Sequence, residues 1–213
     1  MSMQSKARFL VVFPVLVMAG CAGLSLLGGN KQAPSETIYT IRAASSDAAA
    51  NAANRGKEQG LVVVPKPELP PGLNTERIAL YLDQGRRLDY YADAKWSARL
   101  DELLQDYLVE KARQQLPRKV VGTPDLAAPA RYKLAVKVTD FGPVYAEGPN
   151  SAPRLDVGMT VTVLSGDTVK TQFTVKKSIP SADNKLKDVT SGLEEVLQSA
   201  TDEALKKAAP YLG

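Results

Sequence analysis

Residues 155–163 read Leu-Asp-Val-Gly-Met-Thr-Val-Thr-Val, with an apolar side chain at every second position. Because successive side chains of a β-strand point to opposite faces of the sheet, this alternation predicts a strand with one buried and one solvated face. Residues 132–139 and 169–176 repeat the same period. Ser165-Gly166-Asp167 is short enough for a tight turn between the second and third runs. The three runs therefore predict consecutive, half-buried antiparallel strands.

Two segments with helical spacing flank these strands. In residues 96–112 apolar side chains recur every three or four positions, and residues 186–208 repeat that spacing. Each segment predicts an amphipathic helix with one face for the core. We expect Asp93 to cap the first helix, because its carboxylate can accept from the free amides of the first turn, and Pro117 to end it. Trp96 begins the apolar stripe, so we interpret it as a core residue; an exposed Trp that anchors a partner is the alternative.

The amino-terminal half predicts shorter elements. Residues 65–72 are rich in proline, which lacks an amide donor, so they should stop the preceding strand and form an ordered, extended connector. Residues 83–86 read Asp-Gln-Gly-Arg and predict the turn of a hairpin. The predicted strands cover residues 38–42, 61–64, 78–82 and 87–91, and the predicted loops cover residues 43–60, as a solvated loop or short helical insertion, and 142–153.

Together these elements predict an α+β fold. Each helix and each alternating strand has only one apolar side, so both kinds of element bury that side when the helices cover one face of the sheet. We therefore predict an antiparallel sheet with two amphipathic helices packed on one face, as a single α+β domain over residues 37–213.

The amino terminus has the order of features found in an export signal. Lys6 and Arg8 precede an apolar run at residues 9–19, which ends in small residues. This run supplies about half of the roughly 20 apolar residues that a membrane-spanning helix needs, and Pro14 interrupts it. We therefore predict that residues 1–20 are a lipoprotein signal peptide that is removed.

Cys21 is the predicted lipid attachment site. It is the one cysteine of the chain, so no internal disulfide can form. It follows Met18-Ala19-Gly20, which resembles the lipobox of bacterial lipoproteins except that Met replaces the usual Leu; an ordinary signal peptide is the alternative. In the sorting rule of enterobacterial lipoproteins, an Asp after the cysteine retains the protein in the inner membrane, so Ala22 implies the outer membrane. Residues 21–36 then form an acylated tether that reaches at most about 50 Å.

The charge balance argues against nucleic acid as a partner. The chain has 27 Lys and Arg against 23 Asp and Glu, a formal +4, and removal of Lys6 and Arg8 leaves +2. A nucleic-acid footprint requires a dense basic stripe, whereas basic and acidic residues alternate along this sequence.

The residues give little support for catalysis. The chain has no histidine, which excludes a Ser-His-Asp triad and imidazole metal sites. It also has neither a phosphate-binding P-loop nor a Gly-x-Ser-x-Gly elbow. The acid pairs Asp101-Glu102 and Glu194-Glu195 lie on predicted polar helix faces, which favours a solubilising role. We expect no enzyme activity, no cofactor and no metal; a Ser-Lys or carboxylate enzyme is the open alternative.

One long stretch, residues 61–108, resembles a known family. A strand is followed by a connector with Leu69-Pro70-Pro71, a strand beginning at Arg77-Ile78, and a second strand through Leu88 and Tyr90; the helical stripe of Trp96, Leu100, Leu103 and Leu108 comes next. This order resembles the ABC-type transport auxiliary lipoproteins, which include the PqiC-like proteins. The late strands and last helix also lie where that family has them, whereas the insertion at residues 43–60 is longer than expected.

The resemblance implies a non-catalytic partner of a periplasmic MCE-domain protein and its ABC transporter, which moves lipids or other hydrophobic compounds across the envelope. A lipid carrier with its own apolar pocket, similar to lipopolysaccharide-assembly lipoproteins, is the main alternative, and a structural envelope protein is the next. A carrier needs a cavity of about 300–1,000 Å³. The predicted apolar stripes already use nearly all large hydrophobic residues after residue 78, so we expect a docking protein with a closed core. The sequence leaves undecided whether the protein forms a homo-oligomer.

Overall fold

The computed structural model describes residues 36–43, 60–126 and 129–213. The predictions for residues 1–35, among them the signal peptide and Cys21, lie outside these ranges, as do residues 44–59 of the insertion predicted at residues 43–60. The described part contains eight strands and two helices: β1 Thr37–Tyr39, β2 Leu61–Val63, β3 Arg77–Leu82, β4 Arg87–Trp96, α1 Leu100–Gln115, β5 Val120–Gly122, β6 Tyr132–Val144, β7 Arg154–Ser165, β8 Thr168–Pro180 and α2 Leu186–Ala208.

The three alternating runs form the long strands β6, β7 and β8, which pair antiparallel as predicted. Gly166 and Asp167 alone connect β7 to β8, and Gly166 has a positive φ of 56°, which glycine adopts at little cost. β6 is longer than predicted, because it continues to Val144. The loop that we placed at residues 142–153 therefore occupies residues 145–153.

The α+β class is confirmed, and the sheet is mixed rather than wholly antiparallel. β7 covers one edge of β6, whereas β2 and β3 share the opposite edge and both run parallel to β6. β1 is likewise parallel to β4, and β5 to β2. These strands join their partners through long connections instead of hairpin turns, so no turn forces them to run antiparallel.

The connector at residues 65–72 is ordered, as predicted, because it is bonded to the sheet. The amide of Glu68 donates to the carbonyl of Val136 at 3.0 Å, and the amide of Val138 donates to the carbonyl of Glu68 at 2.8 Å. The predicted hairpin after the connector is also confirmed: β3 and β4 pair antiparallel around Asp83–Gly85. The connector thus fills the gap between β2 and β3 along β6.

The predicted start of the first helix was wrong. Asp93 lies within β4 and does not cap α1, which begins seven residues later at Leu100. Ala94 and Trp96 are buried on the inner side of β4, and both pair with β1. Sheet pairing and burial therefore outweigh the capping preference of Asp93. The predicted end was right, because α1 ends at Gln115, two residues before Pro117.

The core lies between the sheet and the two helices. α2 crosses β6, β7 and β8, and α1 lies beside α2 and β5. The approach of α2 to β7 is close, since a Cβ on Gly192 would overlap Cδ1 of the fully buried Leu155. Gln105 of α1 donates to the carbonyl of Val64 at 3.0 Å, which fixes α1 to the end of β2. No helix in the described ranges has the length and apolarity needed to cross a membrane.

Candidate docking surface

The side of β6, β7 and β8 that faces away from the helices carries mostly polar side chains, and we call it the helix-free face. Cross-strand hydrogen bonds order its side chains: the hydroxyls of Thr160 and Thr174 lie 3.0 Å apart, and Gln172 donates to Thr162 at 2.9 Å. The outward positions are Lys133, Ala135, Lys137, Thr139 and Asp140 on β6, Arg154, Asp156, Gly158, Thr160 and Thr162 on β7, and Gln172, Thr174, Lys176 and Ser178 on β8.

A β-bulge reshapes this face halfway along β6. Val138 pairs with Met159 and Asp140 pairs with Gly158, so Thr139 is the extra residue. The insertion reverses the alternation, which places Phe141 in the core and turns Asp140 outward across β7. A Cβ on Gly158 would overlap the side-chain oxygens of Asp140 and Thr139. Glycine is therefore required opposite the bulge for these two polar groups to lie across the strand.

Charged side chains gather beside the bulge, and we call Asp140, Arg154, Asp156, Lys176 and Ser178 the bulge cluster. Arg154 binds Asp156 through two hydrogen bonds of 2.8 Å, and Ser178 donates to the same carboxylate. Lys176 lies 3.2 Å from Asp140. Burial favours the neutral form of Asp156, yet hydrogen bonds from Arg154 and Ser178 together hold its pKa below the ordinary value. The cluster is thus a set of satisfied ion pairs, suited to recognition rather than to proton transfer.

Three open clefts of about 390, 530 and 480 Å³ adjoin the bulge cluster, and Arg154 lines all of them. The last lies between the connector and the β3–β4 hairpin, where Pro70, Pro71, Tyr81 and Leu88 form its apolar wall. Burial, with the nearby Asp140 carboxylate, raises the pKa of Tyr81, so its hydroxyl stays protonated. The clefts of 390 and 480 Å³ combine apolar walls with charged side chains, whereas the 530 Å³ cleft is lined by charged and polar side chains with Val157 as its one apolar residue. Such linings suit a polar or amphipathic partner.

The loop beside these clefts is held by a hydrogen-bonded chain. The hydroxyls of Tyr91 and Tyr145 lie 2.7 Å apart, Tyr145 donates to Asn184 at 2.8 Å, and Asn184 donates to the carbonyl of Pro149 at 2.9 Å. Burial raises the pKa of both tyrosines, which keeps the hydroxyls neutral. The loop is therefore fixed to β4 and to the start of α2.

Charge divides unevenly between the two layers. The two helices carry nine carboxylates against five Lys and Arg side chains, whereas β6, β7 and β8 carry two carboxylates against six Lys and Arg side chains. Lys177 is the exception on β8, because it points toward α2 and pairs with Glu203 at 2.6 Å. The helix layer is thus acidic and the helix-free face is basic.

Within the part of the chain that the structure describes, the side chains singled out from the sequence lie apart from one another, and Cys21 lies outside that part. Trp96 is 3% exposed and packs on Phe141, which confirms it as a core residue. In the first acid pair, Asp101 binds Arg99 at 3.2 Å and is itself largely buried, contrary to our expectation of a solvated acid. In the second pair, burial raises the pKa of Glu194 even though a backbone amide donates to it. Within the described ranges, no group of three or more His, Cys, Asp or Glu side chains is arranged to hold a metal ion.

The bulge cluster was missed from the sequence, although a signal for it was present. Val138 and Phe141 are both apolar and three residues apart, so the period of two breaks between them. A break of one residue inside an alternating strand indicates a bulge, and a glycine on the neighbouring strand indicates where a side chain crosses.

The comparisons with known proteins agree with this fold. The model of the family of ABC-type transport auxiliary lipoprotein components matches residues 39–204. Protein XCC0632 from Xanthomonas campestris, a DUF330 protein, has a similar crystal structure with a TM-score of 0.62 at 20% identity, over 80% of this chain and 92% of that one. A second, uncharacterised protein has a TM-score of 0.63 at 15% identity, over 83% of this chain and 99% of that one. Among curated proteins, none matches significantly.

Proposed function

The chain belongs to the ABC-type transport auxiliary lipoproteins, and from this membership we propose that it is a non-catalytic docking partner of a periplasmic MCE-domain protein and its ABC transporter. The transported material is then a lipid or another hydrophobic compound. The domain over residues 37–213 faces the periplasm, and the acylated Cys21 holds it at the outer membrane. Ala22 supports that location, since it lacks the acidic side chain of inner-membrane retention.

The closed core is the observation that carries the docking role. Leu155 of β7 and Leu193 and Leu197 of α2 are each no more than 2% exposed, and Gly192 lets the helix lie directly on the strand. A carrier of this size would have to separate these surfaces and lose about 25 cal/mol for each Å² of apolar area re-exposed. The open clefts beside the bulge cluster are lined partly by ion-paired side chains, which would lose their contact with water if acyl chains were buried there.

In-cell photo-crosslinking of the acylated protein tests the proposal. We would place a photo-reactive residue at the exposed Asp106 of α1, at the exposed Glu195 of α2 and at Lys137 of the helix-free face, and purify each protein from its host. At least one site should give a covalent product that contains an MCE-domain protein. Cys21→Ser is the matched control, because it should mislocalise the chain and abolish that product.

Phospholipid bound in a one-to-one ratio to the purified monomer, without any MCE product, would replace the docking role with that of a carrier. Native mass spectrometry and lipid extraction measure this ratio directly. Crosslinking of the MCE-domain protein by wild type and Cys21→Ser alike would retain the partner and refute the need for the anchor.

A further inference from the structure

We propose that the helix-free face lies against the anionic phospholipid surface of the membrane that anchors the chain, with the acidic helix layer turned away from the lipid. This inference rests on the proposed lipid anchor and adds an orientation to it. It predicts that Lys133 and Lys137 contact lipid headgroups and that protein partners approach the helices or the hairpin.

Two unpaired lysines carry the inference. Lys133 and Lys137 are both exposed and lie on the outward side of β6, about 13 Å apart at the rise of a β-strand. Within the described ranges neither forms an ion pair, whereas Lys176 and Arg154 on the same face are bound to Asp140 and Asp156. Glu68 lines the same shallow cleft as both lysines but forms no ion pair with either among the described residues, so their ammonium groups stay available to lipid phosphates.

The opposite layer strengthens the orientation. The helices have nine carboxylates for five Lys and Arg side chains, so an anionic surface repels them while it attracts the strands. Exposed charges interact over about 10 Å at 0.1 M salt, which confines both effects to the layer nearest the membrane. A domain with acidic and basic layers therefore rotates until its basic face meets the lipid.

The chemistry of the face favours lipid over an acidic protein. Protein interfaces centre on buried apolar anchors. The large exposed hydrophobic side chains in the described ranges are Ile38, Val120, Leu126, Val169 and Tyr211, and of these only Val169 lies on β6, β7 or β8, close to the turn. The face otherwise presents hydroxyls, the amide of Gln172, two ion-paired carboxylates and the basic side chains. The tether of residues 21–36 keeps it within about 50 Å of the bilayer, so a lipid surface is always within reach.

Vesicle flotation of the mature chain carrying Cys21→Ser tests the face without the anchor. The probes are vesicles of phosphatidylethanolamine alone and vesicles that also contain phosphatidylglycerol, at low and high salt. Binding should require phosphatidylglycerol and should disappear at high salt. Each Lys near an anionic surface changes affinity about fivefold, so the double variant Lys133→Glu and Lys137→Glu should bind at least about tenfold more weakly.

A matched double variant separates the face from net charge. Lys187→Glu and Lys206→Glu, at exposed positions of α2, change the total charge equally but alter the helix layer. This protein should bind as well as its parent. Equal losses in both double variants, or no binding to phosphatidylglycerol vesicles at low salt, would overturn the proposal. Salt-sensitive binding of an acidic MCE-domain protein through Lys133 and Lys137, with no vesicle binding, would assign the face to that partner instead.

These outcomes are independent of the proposed function. The flotation protein has no acyl chain, so its result does not depend on lipid attachment at Cys21. Crosslinking to an MCE-domain protein can succeed when flotation fails, which would keep the docking role and reject the orientation.

Discussion

Replacement of Trp96 by alanine should destabilise the protein strongly, because the structure places this side chain at the junction of β1, β4 and β6. The side chain is 3% exposed, and its ring lies 6.4 Å from that of Phe141 with an angle of 58° between the ring planes. The main-chain amide of Trp96 donates to the carbonyl of Glu76 at 2.7 Å. Truncation of a buried Trp costs about 3–5 kcal/mol. In a domain of this size each kcal/mol lowers Tm by about 2–4 °C, so we expect a decrease of about 10 °C.

Thermal and urea unfolding followed by circular dichroism measure this change, and an unchanged urea slope would show that the compactness of the two end states is preserved. Trp96→Phe should lose less, since it keeps an aromatic ring opposite Phe141. Tyr211→Ala is the control, because Tyr211 is 46% exposed and its loss should change stability by no more than about 0.5 kcal/mol. A Trp96→Ala protein that melts within about 2 °C of wild type, with lost partner crosslinks, would make Trp96 an interface anchor and refute the core assignment.

Three further predictions test packing, electrostatics and the anchor. Gly192→Val should lower the free energy of unfolding by about 1–3 kcal/mol, because the added side chain would overlap Leu155. Hydrogen bonds from Lys177, and to a smaller extent from Lys207, lower the pKa of Glu203 from 4.5 to about 2. The ionised carboxylate therefore stabilises the fold above pH 4.5, and this stabilisation is lost as the pH falls toward 2. Urea unfolding from pH 6 to pH 3 should therefore show a shrinking difference between wild type and Glu203→Gln. Metabolic labelling with a palmitate analogue should mark the wild type and not Cys21→Ser.

The first two of these predictions each have a control substitution in the same helix. Ser191→Val puts the same side chain on the exposed side of α2 and should cost less than Gly192→Val; equal losses would show that helix propensity, not contact with β7, is responsible. Glu195→Gln removes an exposed carboxylate from the same helix, and an identical pH profile for the two Gln variants would contradict the role of Glu203. Labelling of the Cys21→Ser protein would place the acyl chain elsewhere.

The local elements could be predicted because their patterns involve residues close in the sequence. The period of two in β6, β7 and β8 and the helical period of α2 follow directly from strand and helix geometry. Asp93 shows where such reasoning fails. Its side chain is a good helix cap, but residues 94–96 pair with β1 and bury Trp96 in the core. A pairing with a strand more than 50 residues earlier cannot be read from the capping preference of a single residue.

The charge division behind the proposed membrane surface was present in the sequence but was not recognised there. Basic and acidic residues alternate along the chain, so the sequence suggested an unremarkable balance. Folding collects the carboxylates on the helices and the lysines on the long strands, since each element contributes only its solvated side to the surface. Assignment of each charge to its predicted helix or strand would have revealed this division before the structure.

The sequence by itself determined the α+β class, the antiparallel run of three strands, the two amphipathic helices and the family resemblance, because periodicity and turn chemistry are local properties. Only the tertiary structure decided that β2 and β3 join β6 in parallel, that Thr139 bulges opposite Gly158, and that a cluster of ion pairs forms there. Those features arise from contacts between residues distant in the chain. Their stability depends on contacts between surfaces that come together only when the chain folds. The local order of residues therefore does not reveal them.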